Sequence, residues 1–199
     1  MIDGAKLMFF SAKTFTIFSG GMSNYARRSG ETVEKVSNTA RDGLNGKLRA
    51  GKHNVFDPQI RKEVDGRDYD SKVDGPRERE ARAKADVYIY QIGSETGATA
   101  TLAEVLTDVL RHAKSKRKII VWFSGKHDSS GTPVFRDDFV LDSIGDPLTR
   151  LIFEELVKGA NRHRTQVLAT IASYVGQHVF IAHSEADVEK ALRTIGVKF

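Results

Sequence analysis

The 199-residue sequence contains no cysteine. This absence excludes disulfides, thiol catalysis and metal sites built on cysteine, although it says little about cellular compartment. The sequence also lacks any apolar run that approaches the roughly 20 residues needed to span a bilayer. Its apolar stretch at 7–10, "LMFF", is shorter than the signal-peptide core of about 7–15 residues. We therefore expect a cytoplasmic protein that does not enter membranes.

Charge is spread along the chain rather than concentrated. Charged residues make up 29% of the sequence, hydrophobic residues 40%, and the formal net charge is +5, which suits a soluble globular domain. Basic residues cluster only in "KSKRK" at 114–118 and "NRHR" at 161–164, and short clusters of this kind are typical of solvated helix ends. We therefore expect no nucleic-acid partner, whereas a modest positive field suits a small anionic substrate.

Apolar periodicity predicts strands that alternate with helices through the whole chain. Runs of β-branched and aromatic residues predict strands at 14–21, 53–58, 86–92, 118–125 and 178–184. Three- and four-residue apolar spacing predicts helices at 31–50, 102–110 and 146–174, and a last helix is predicted at 185–195. Pro76 at a first helical turn predicts a further short helix at 76–85, within a segment rich in charge. Gly159 and Asn161 are expected to break or bend the helix at 146–174. This alternation indicates one α/β domain with a parallel sheet of about five strands and helices on both faces.

Three predicted strands end in turns of serine and glycine, after Phe18, Ile92 and Phe123. In open parallel sheets, ligands bind beyond the carboxyl ends of the strands, where the strand order reverses. The candidate site is therefore placed at these turns. Two adjacent glycines, Gly20 and Gly21, would let the backbone approach a ligand there without an intervening side chain. The histidines show no metal-ligand spacing, and we predict neither a metal nor another cofactor.

Four motifs carry a resemblance to a known family: "FTIFSGGM" at 15–22, "FDP" at 56–58, "ADVYIY" at 85–90 and "ATLAEVL" at 100–106. In this order and spacing they resemble the nucleoside 2-deoxyribosyltransferases and related N-glycoside hydrolases. The resemblance covers 14–125. It implies a flavodoxin-like, Rossmann-like three-layer sandwich that assembles as a homo-oligomer, with neighbouring copies completing each site. Residues 126–199 would then be a helical extension followed by the last strand and helix of the single domain 1–199.

The resemblance also implies a catalytic set of three carboxylates, Glu104, Glu78 and Asp57. Cleavage of an N-glycosidic bond passes through a sugar with oxocarbenium character, which a carboxylate stabilises or attacks. Glu104 matches the family's catalytic glutamate. The departing base needs a proton or a hydrogen bond, which Glu78 or Asp57 would supply. Glu78 stands where the family often has a base-binding aspartate, and Asp57 matches a position near the sugar pocket.

Further residues are predicted to bind the substrate: Ser19, Gly20, Gly21, Met22, Arg27, Asp86, Thr99, Thr101 and Lys126. Helix N-terminal amides between Thr99 and Thr101 would hold an anionic group. Arg27 and Lys126 would suit a 5′-phosphate if the substrate is a nucleotide. Ala98 stands near the place of a frequent acidic residue. Recognition of the base is therefore expected to differ from that of the true transferases.

Three hypotheses follow. The first is an enzyme that cleaves or transfers the N-glycosidic bond of a (deoxy)nucleoside or nucleoside 5′-monophosphate, as part of nucleotide metabolism. The second is a TIR-like NAD glycohydrolase, which shares the sheet and also uses a glutamate on the ribose. The third is a non-catalytic nucleotide-binding or sensing module of the same fold. Release of free base separates the enzymes from the binding module, and base exchange between nucleosides separates a transferase from a hydrolase.

Overall fold

The computed structural model describes residues 13–21, 25–29, 32–36, 39–59, 65–67, 69–93, 98–135 and 144–199. Its strands are β1 (Thr16–Gly21), β2 (Tyr25–Ser29), β3 (Thr32–Val36), β4 (Asn54–Phe56), β5 (Val87–Gly93), β6 (Lys118–Ser124) and β7 (Val179–Ala182). Its helices are α1 (Thr39–Ala50), α2 (Asp74–Lys84), α3 (Thr99–Arg111), α4 (Pro147–Ile171) and α5 (Glu185–Ile195), and a 3₁₀ turn (Ala172–Tyr174) follows α4.

The central sheet has five strands in the order β4–β1–β5–β6–β7, and all neighbouring pairs are parallel. The chain starts at β1, moves outward to β4, and then crosses to β5 on the other side of β1. Strand order therefore reverses between β1 and β5, as in flavodoxin-like sheets. The register pairs Gly21 with Gln91 and Gly93 with Ser124, so the carboxyl ends of these strands share one edge. The predicted α/β fold with a parallel sheet is confirmed.

Both faces of the sheet are covered, which explains why all seven residues of β5 are buried. One face packs Tyr88, Tyr90 and Ile92 against α3 and α4, through Leu102, Val105, Val109, Val167 and Ile171. The other face packs Val87 and Ile89 against α1 and α5, through Leu44, Leu48, Val188 and Leu192. The alternation of side chains along β5 thus divides the core into two layers. The sheet lies between two layers of helices.

The helix predicted at 31–50 is wrong in its first part. Residues 32–36 form β3, which pairs antiparallel with β2, and α1 begins only at Thr39. Val33 and Val36 match the helical spacing of Leu44 and Leu48 by coincidence. The register pairs Ser29 with Thr32 and leaves two residues between them, a spacing typical of tight hairpins.

The long helix α4 is continuous, contrary to the expected break at Gly159. It runs for 25 residues from Pro147 to Ile171, and Asp146 caps its start by accepting a hydrogen bond of 2.7 Å from the Thr149 amide. A β-carbon added at Gly159 would meet no neighbouring atom. The position is therefore exposed, and the helix continues through it without a break. Within the described part of the chain, no helix is long and apolar enough to cross a membrane.

Candidate functional site

A polar cavity of about 310 Å³ lies beyond the carboxyl end of β4. Its lining comes from the end of β4, the residues that follow it, and the first turns of α2: Phe56, Asp57, Pro58, Gln59, Asp65, Arg67, Asp74, Arg77 and Glu78. This volume is at the lower end of the range for small-molecule sites. Two of the three predicted catalytic carboxylates, Asp57 and Glu78, therefore line the same cavity.

Asp57 is held in place by α1. The buried Asn45 amide donates to its Oδ2 at 3.0 Å, and the backbone amide of Gln59 donates to its Oδ1 at 3.0 Å. The guanidinium of Arg41, itself fully buried, lies 3.3 Å from Oδ1. Both carboxylate oxygens thus already accept hydrogen bonds. This geometry suits positioning or binding of a ligand better than donation of a proton.

Another part of the cavity lining is built on Asp74, at the start of α2. Arg67 donates two hydrogen bonds to its carboxylate, at 2.6 and 2.5 Å, and the Asp70 amide donates a third at 2.9 Å. The bonds from Arg67, followed by the Asp70 amide, lower the pKa of Asp74 to about 2. Asp74 therefore remains ionised and fixes the orientation of Arg67 at the cavity.

Glu78 lies one turn into α2 and faces the cavity, half-buried. Its carboxylate oxygen Oε2 lies 3.4 Å from the hydroxyl of Tyr69, a long contact for a hydrogen bond between oxygens. The pKa of Tyr69 is raised, first by burial and then by the negative charge of Glu78, with a smaller contribution from Glu104. Glu78, Tyr69 and Glu104 therefore form one electrostatically connected group.

Glu104 lies in the N-terminal half of α3, with 33% of its side chain exposed. The Nη1 atom of Arg82 donates to its Oε1 at 3.2 Å. Burial raises the pKa of Glu104, the Arg82 guanidinium opposes that rise, and the negative charges of Glu78 and Asp108 add to it. Carboxylates whose pKa is shifted by burial and by specific neighbouring charges are common at catalytic sites.

Arg82 joins Glu104 to the interior and was missed by the sequence predictions. Its Nη2 atom donates to Oδ2 of the buried Asp108 at 2.8 Å, and its guanidinium lies 5.8 Å from the ring of Phe18. Phe18 in turn stacks on Phe56 of the cavity lining, with ring centroids 6.0 Å apart. The four-residue spacing from Glu78 to Arg82 puts both on one face of α2, and this was the available signal.

The end of β1 lies at the reversal point of the sheet. Ser19 is fully buried there, and its hydroxyl has no hydrogen-bond partner among the residues that the structure describes. Gly21 adopts a φ of +119°, and a β-carbon on it would lie 2.2 Å from the Gln91 carbonyl oxygen. A larger residue at 21 would therefore collide with β5. Gly20 precedes it in the strand, and Met22 lies outside the described residues.

The other predicted binding residues lie in different places. Thr99 starts α3 and Thr101 is buried in its first turn, close to the carboxyl edge. Lys126 follows β6 at the same edge, where its carbonyl accepts the Val134 amide at 3.1 Å. Arg27 lies on β2, in the separate two-stranded sheet. The structure therefore brings Thr101 and Lys126 to the predicted edge but does not place Arg27 in the central sheet.

Asp86 lies at the opposite, amino-terminal edge of the sheet. It immediately precedes β5, and its carboxylate accepts a hydrogen bond of 3.0 Å from the Thr16 amide at the start of β1. The predicted substrate-binding role of Asp86 is therefore not supported by its position. The carboxylate joins the starts of two parallel strands, and we leave it out of the candidate site.

A second arginine missed by the sequence predictions lies at the carboxyl end of β5. Arg164 of α4 is 1% exposed and donates to the carbonyl oxygen of Gly93 at 2.7 Å. Burial lowers the pKa of Arg164 to about 10. Its sequence context, the basic cluster at 161–164, suggested a solvated helix end, and only the packing of α4 against the sheet reveals the buried position.

Comparison of the sequence with protein-family models finds no match, and comparison with curated proteins finds none either. Among the described residues, no group of three or more histidine and acidic side chains is placed to hold a metal ion. The chemistry of the site is therefore inferred from its own geometry and from its motifs.

Proposed function

We propose that this protein cleaves or transfers the N-glycosidic bond of a nucleoside or nucleoside 5′-monophosphate, with Glu104 as its catalytic carboxylate. The observation that carries the proposal is the arrangement of Glu104: half-buried, contacted by Arg82 and within electrostatic reach of Glu78, which lines the adjoining cavity. The cavity lies beyond the carboxyl end of β4, the strand next to β1, and ligands in this class of sheet bind beyond the carboxyl ends of the strands.

In the proposed reaction, the ionised carboxylate of Glu104 attacks the anomeric carbon or stabilises the positive charge that develops there. The bond from that carbon to the base nitrogen breaks, and its electron pair leaves with the base. Glu78 supplies the proton or hydrogen bond that the departing base needs. Water or a second base then takes the sugar from Glu104. No step requires a cofactor, because the carboxylates supply both the nucleophile and the acid.

The lining of the cavity supports a polar, hydroxyl-bearing ligand. Asp57 is fixed by α1 and Arg67 is fixed by Asp74, so both present charged groups in defined directions. Groups that are held before the ligand arrives lose little entropy on binding. We therefore propose that Asp57 and Arg67 bind the sugar or the base, with Glu78 nearest to the departing base.

A non-catalytic nucleotide-binding module is the second candidate function. It is favoured by the ion pairs that already engage the site's carboxylates, from Arg41 to Asp57 and from Arg82 to Glu104. In this alternative, Glu104 would stabilise the contact between α2 and α3 and take no part in bond cleavage.

Self-association is a further proposal that follows from the family resemblance. The first half of α4 exposes four large apolar side chains, Leu148, Leu151, Ile152 and Leu156, each more than half exposed. Contiguous apolar surface of this kind is typical of protein interfaces. We therefore keep the expected homo-oligomer as a proposal, along with the cytoplasmic location, and sedimentation equilibrium of the purified protein tests the first.

The experiment that tests the main proposal is base release. The purified protein is incubated with a panel of nucleosides, their 5′-monophosphates and NAD, and free base is measured by chromatography. Glu104→Gln is the test variant, and Glu80→Gln, on the exposed side of α2, is the matched control. We expect release that survives in the control and is lost in the test variant. No release from any substrate, with a nucleotide still raising the melting temperature, would favour the binding module.

A further inference from the structure

Arg82 contacts two carboxylates, Glu104 and Asp108, that differ in how far they are buried. Its Nη1 atom lies 3.2 Å from Glu104 and its Nη2 atom lies 2.8 Å from Asp108. The side chain of Glu104 is 33% exposed, whereas that of Asp108 is 1% exposed. The shorter contact therefore goes to the carboxylate that has no room to move.

Asp108 is itself held in place by a residue of the central strand β5. The hydroxyl of Tyr90, on β5, donates to the same Oδ2 atom that accepts from Arg82. Tyr90 is fully buried in the core, between the rings of Phe18 and Tyr88. Arg111 approaches the other carboxylate oxygen only at 3.7 Å and from the exposed side. The pair of Tyr90 and Asp108 is thus a rigid anchor for Arg82.

We propose that Asp108, fixed by Tyr90, is a positioning residue that shares Arg82 with Glu104, so that Arg82 favours the ionised form of Glu104 without pairing with it fully. This inference rests on the proposed function of Glu104. A buried carboxylate without a cation tends to take up a proton. One that is fully paired with a guanidinium in a bidentate contact is strongly stabilised as an ion and loses nucleophilic strength. Sharing Arg82 with Asp108 places Glu104 between these two limits.

The charged and titratable groups around Glu104 determine the direction in which each substitution should shift the pKa of Glu104. From α2, Arg82 lowers its pKa and Glu78 raises it, and Asp108 on its own helix raises it. Tyr69 and Tyr90 also lie within electrostatic reach of Glu104. Removing the charge of Asp108 therefore lowers the pKa of Glu104 in two ways: one repulsion is lost, and Arg82 is released toward Glu104.

The direct test is the titration of Glu104 by NMR, using protein labelled with ¹³C at glutamate carboxyl carbons. The Glu104 signal is assigned by its loss in Glu104→Gln. In Asp108→Asn we expect the titration midpoint of Glu104 to move to lower pH. In Arg82→Gln we expect it to move to higher pH, because the cation is removed. In Tyr90→Phe we also expect it to move to higher pH, because the negative charge of Asp108 loses the hydrogen bond from Tyr90 and attracts Arg82 more strongly. Arg111→Gln is the matched control and should leave the midpoint unchanged.

These outcomes separate the anchor from the proposed function. An unchanged Glu104 midpoint in Asp108→Asn and Arg82→Gln, in variants that keep the wild-type circular dichroism spectrum, would overturn the anchor even if the protein releases base. Shifts in the stated directions would support the anchor even if no substrate loses its base, in which case the proposed function alone fails. If Asp108→Asn does not fold, Tyr90→Phe still decides the question, because an unchanged Glu104 midpoint in that variant would overturn the anchor.

Discussion

The carboxylate of Glu104 on α3 lies 3.2 Å from the guanidinium of Arg82 on α2. Burial raises the pKa of this carboxylate above its ordinary value of 4.5, and Arg82 opposes the rise. The two helices are consecutive in the chain and are separated by β5. The contact therefore exists only because the right-handed crossovers of a parallel sheet bring α2 and α3 to the same face.

The pH dependence of base release follows from this contact. A reaction that needs ionised Glu104 should be lost as pH falls through the pKa of Glu104, which lies above 4.5. In Arg82→Gln the opposing cation is gone, so the acidic limb of the profile should move to higher pH. Initial rates at saturating substrate, measured across the acidic range, test this. An acidic limb that is unchanged in Arg82→Gln would contradict the account.

Glu78 is predicted to assist the departure of the base. Because general-acid assistance contributes roughly 10²–10⁴-fold, Glu78→Gln should slow release of a poor leaving group by a factor in that range. A substrate whose leaving group is stable without protonation should be affected much less. Rates on both kinds of substrate, with Glu80→Gln as the control on α2, test this. Equal losses on the two substrates would assign Glu78 to binding instead.

Asp74 should contribute stability that depends on pH. Its pKa is about 2 in the folded protein, against an ordinary value of 3.8, because Arg67 binds its ionised form. A lowered pKa means that the stabilisation is present above the unfolded value and is lost as pH falls toward 2. Urea denaturation should show Asp74→Asn less stable than wild type at neutral pH and nearly equal to it near pH 2. Glu155→Gln, an exposed ion-paired acid, should differ little from wild type at either pH.

Replacing Gly21 with alanine tests the close packing at the end of β1, and replacing the exposed Gly43 of α1 is its control. Gly21→Ala should destabilise the protein by about 1–3 kcal/mol or more, because its backbone is strained for alanine and its β-carbon would meet Gln91. Gly43 is exposed within α1 with open space around it, so Gly43→Ala should stabilise by roughly 0.5–1 kcal/mol. Thermal or urea unfolding of the two variants measures the contrast. Equal effects would mean that the end of β1 does not pack as tightly against Gln91 of β5 as described.

The sheet could be predicted from sequence because its strands are continuous apolar runs. Val87–Gly93 and Lys118–Ser124 are rich in β-branched and aromatic residues and end at small residues, which suits strands buried on both faces. The hairpin of β2 and β3 was missed because its stability comes from pairing between two short polar segments. Local spacing of Val33 and Val36 cannot show that pairing.

The candidate site was predicted only in part, for a similar reason. Glu104, Glu78 and Asp57 were found through motifs, and the structure places Glu78 and Asp57 in one cavity with Glu104 within electrostatic reach of Glu78. Arg82 was not found, because Glu80 and Lys84 share the four-residue spacing of Glu78 and Arg82 on the same helix. Only the packing of α2 against α3 distinguishes Arg82. Asp86 was assigned to the site from its motif, although the start of a strand lies at the wrong edge of the sheet.

The most direct test of the central claim is chromatographic detection of free base from nucleosides and nucleoside 5′-monophosphates, with wild type and Glu104→Gln side by side. The account predicts release by wild type and a loss on the order of 10²–10³-fold or more in Glu104→Gln, with unchanged thermal unfolding. Release that persists at the wild-type rate in Glu104→Gln would show that the glutamate is not the reacting group and would contradict the proposed mechanism.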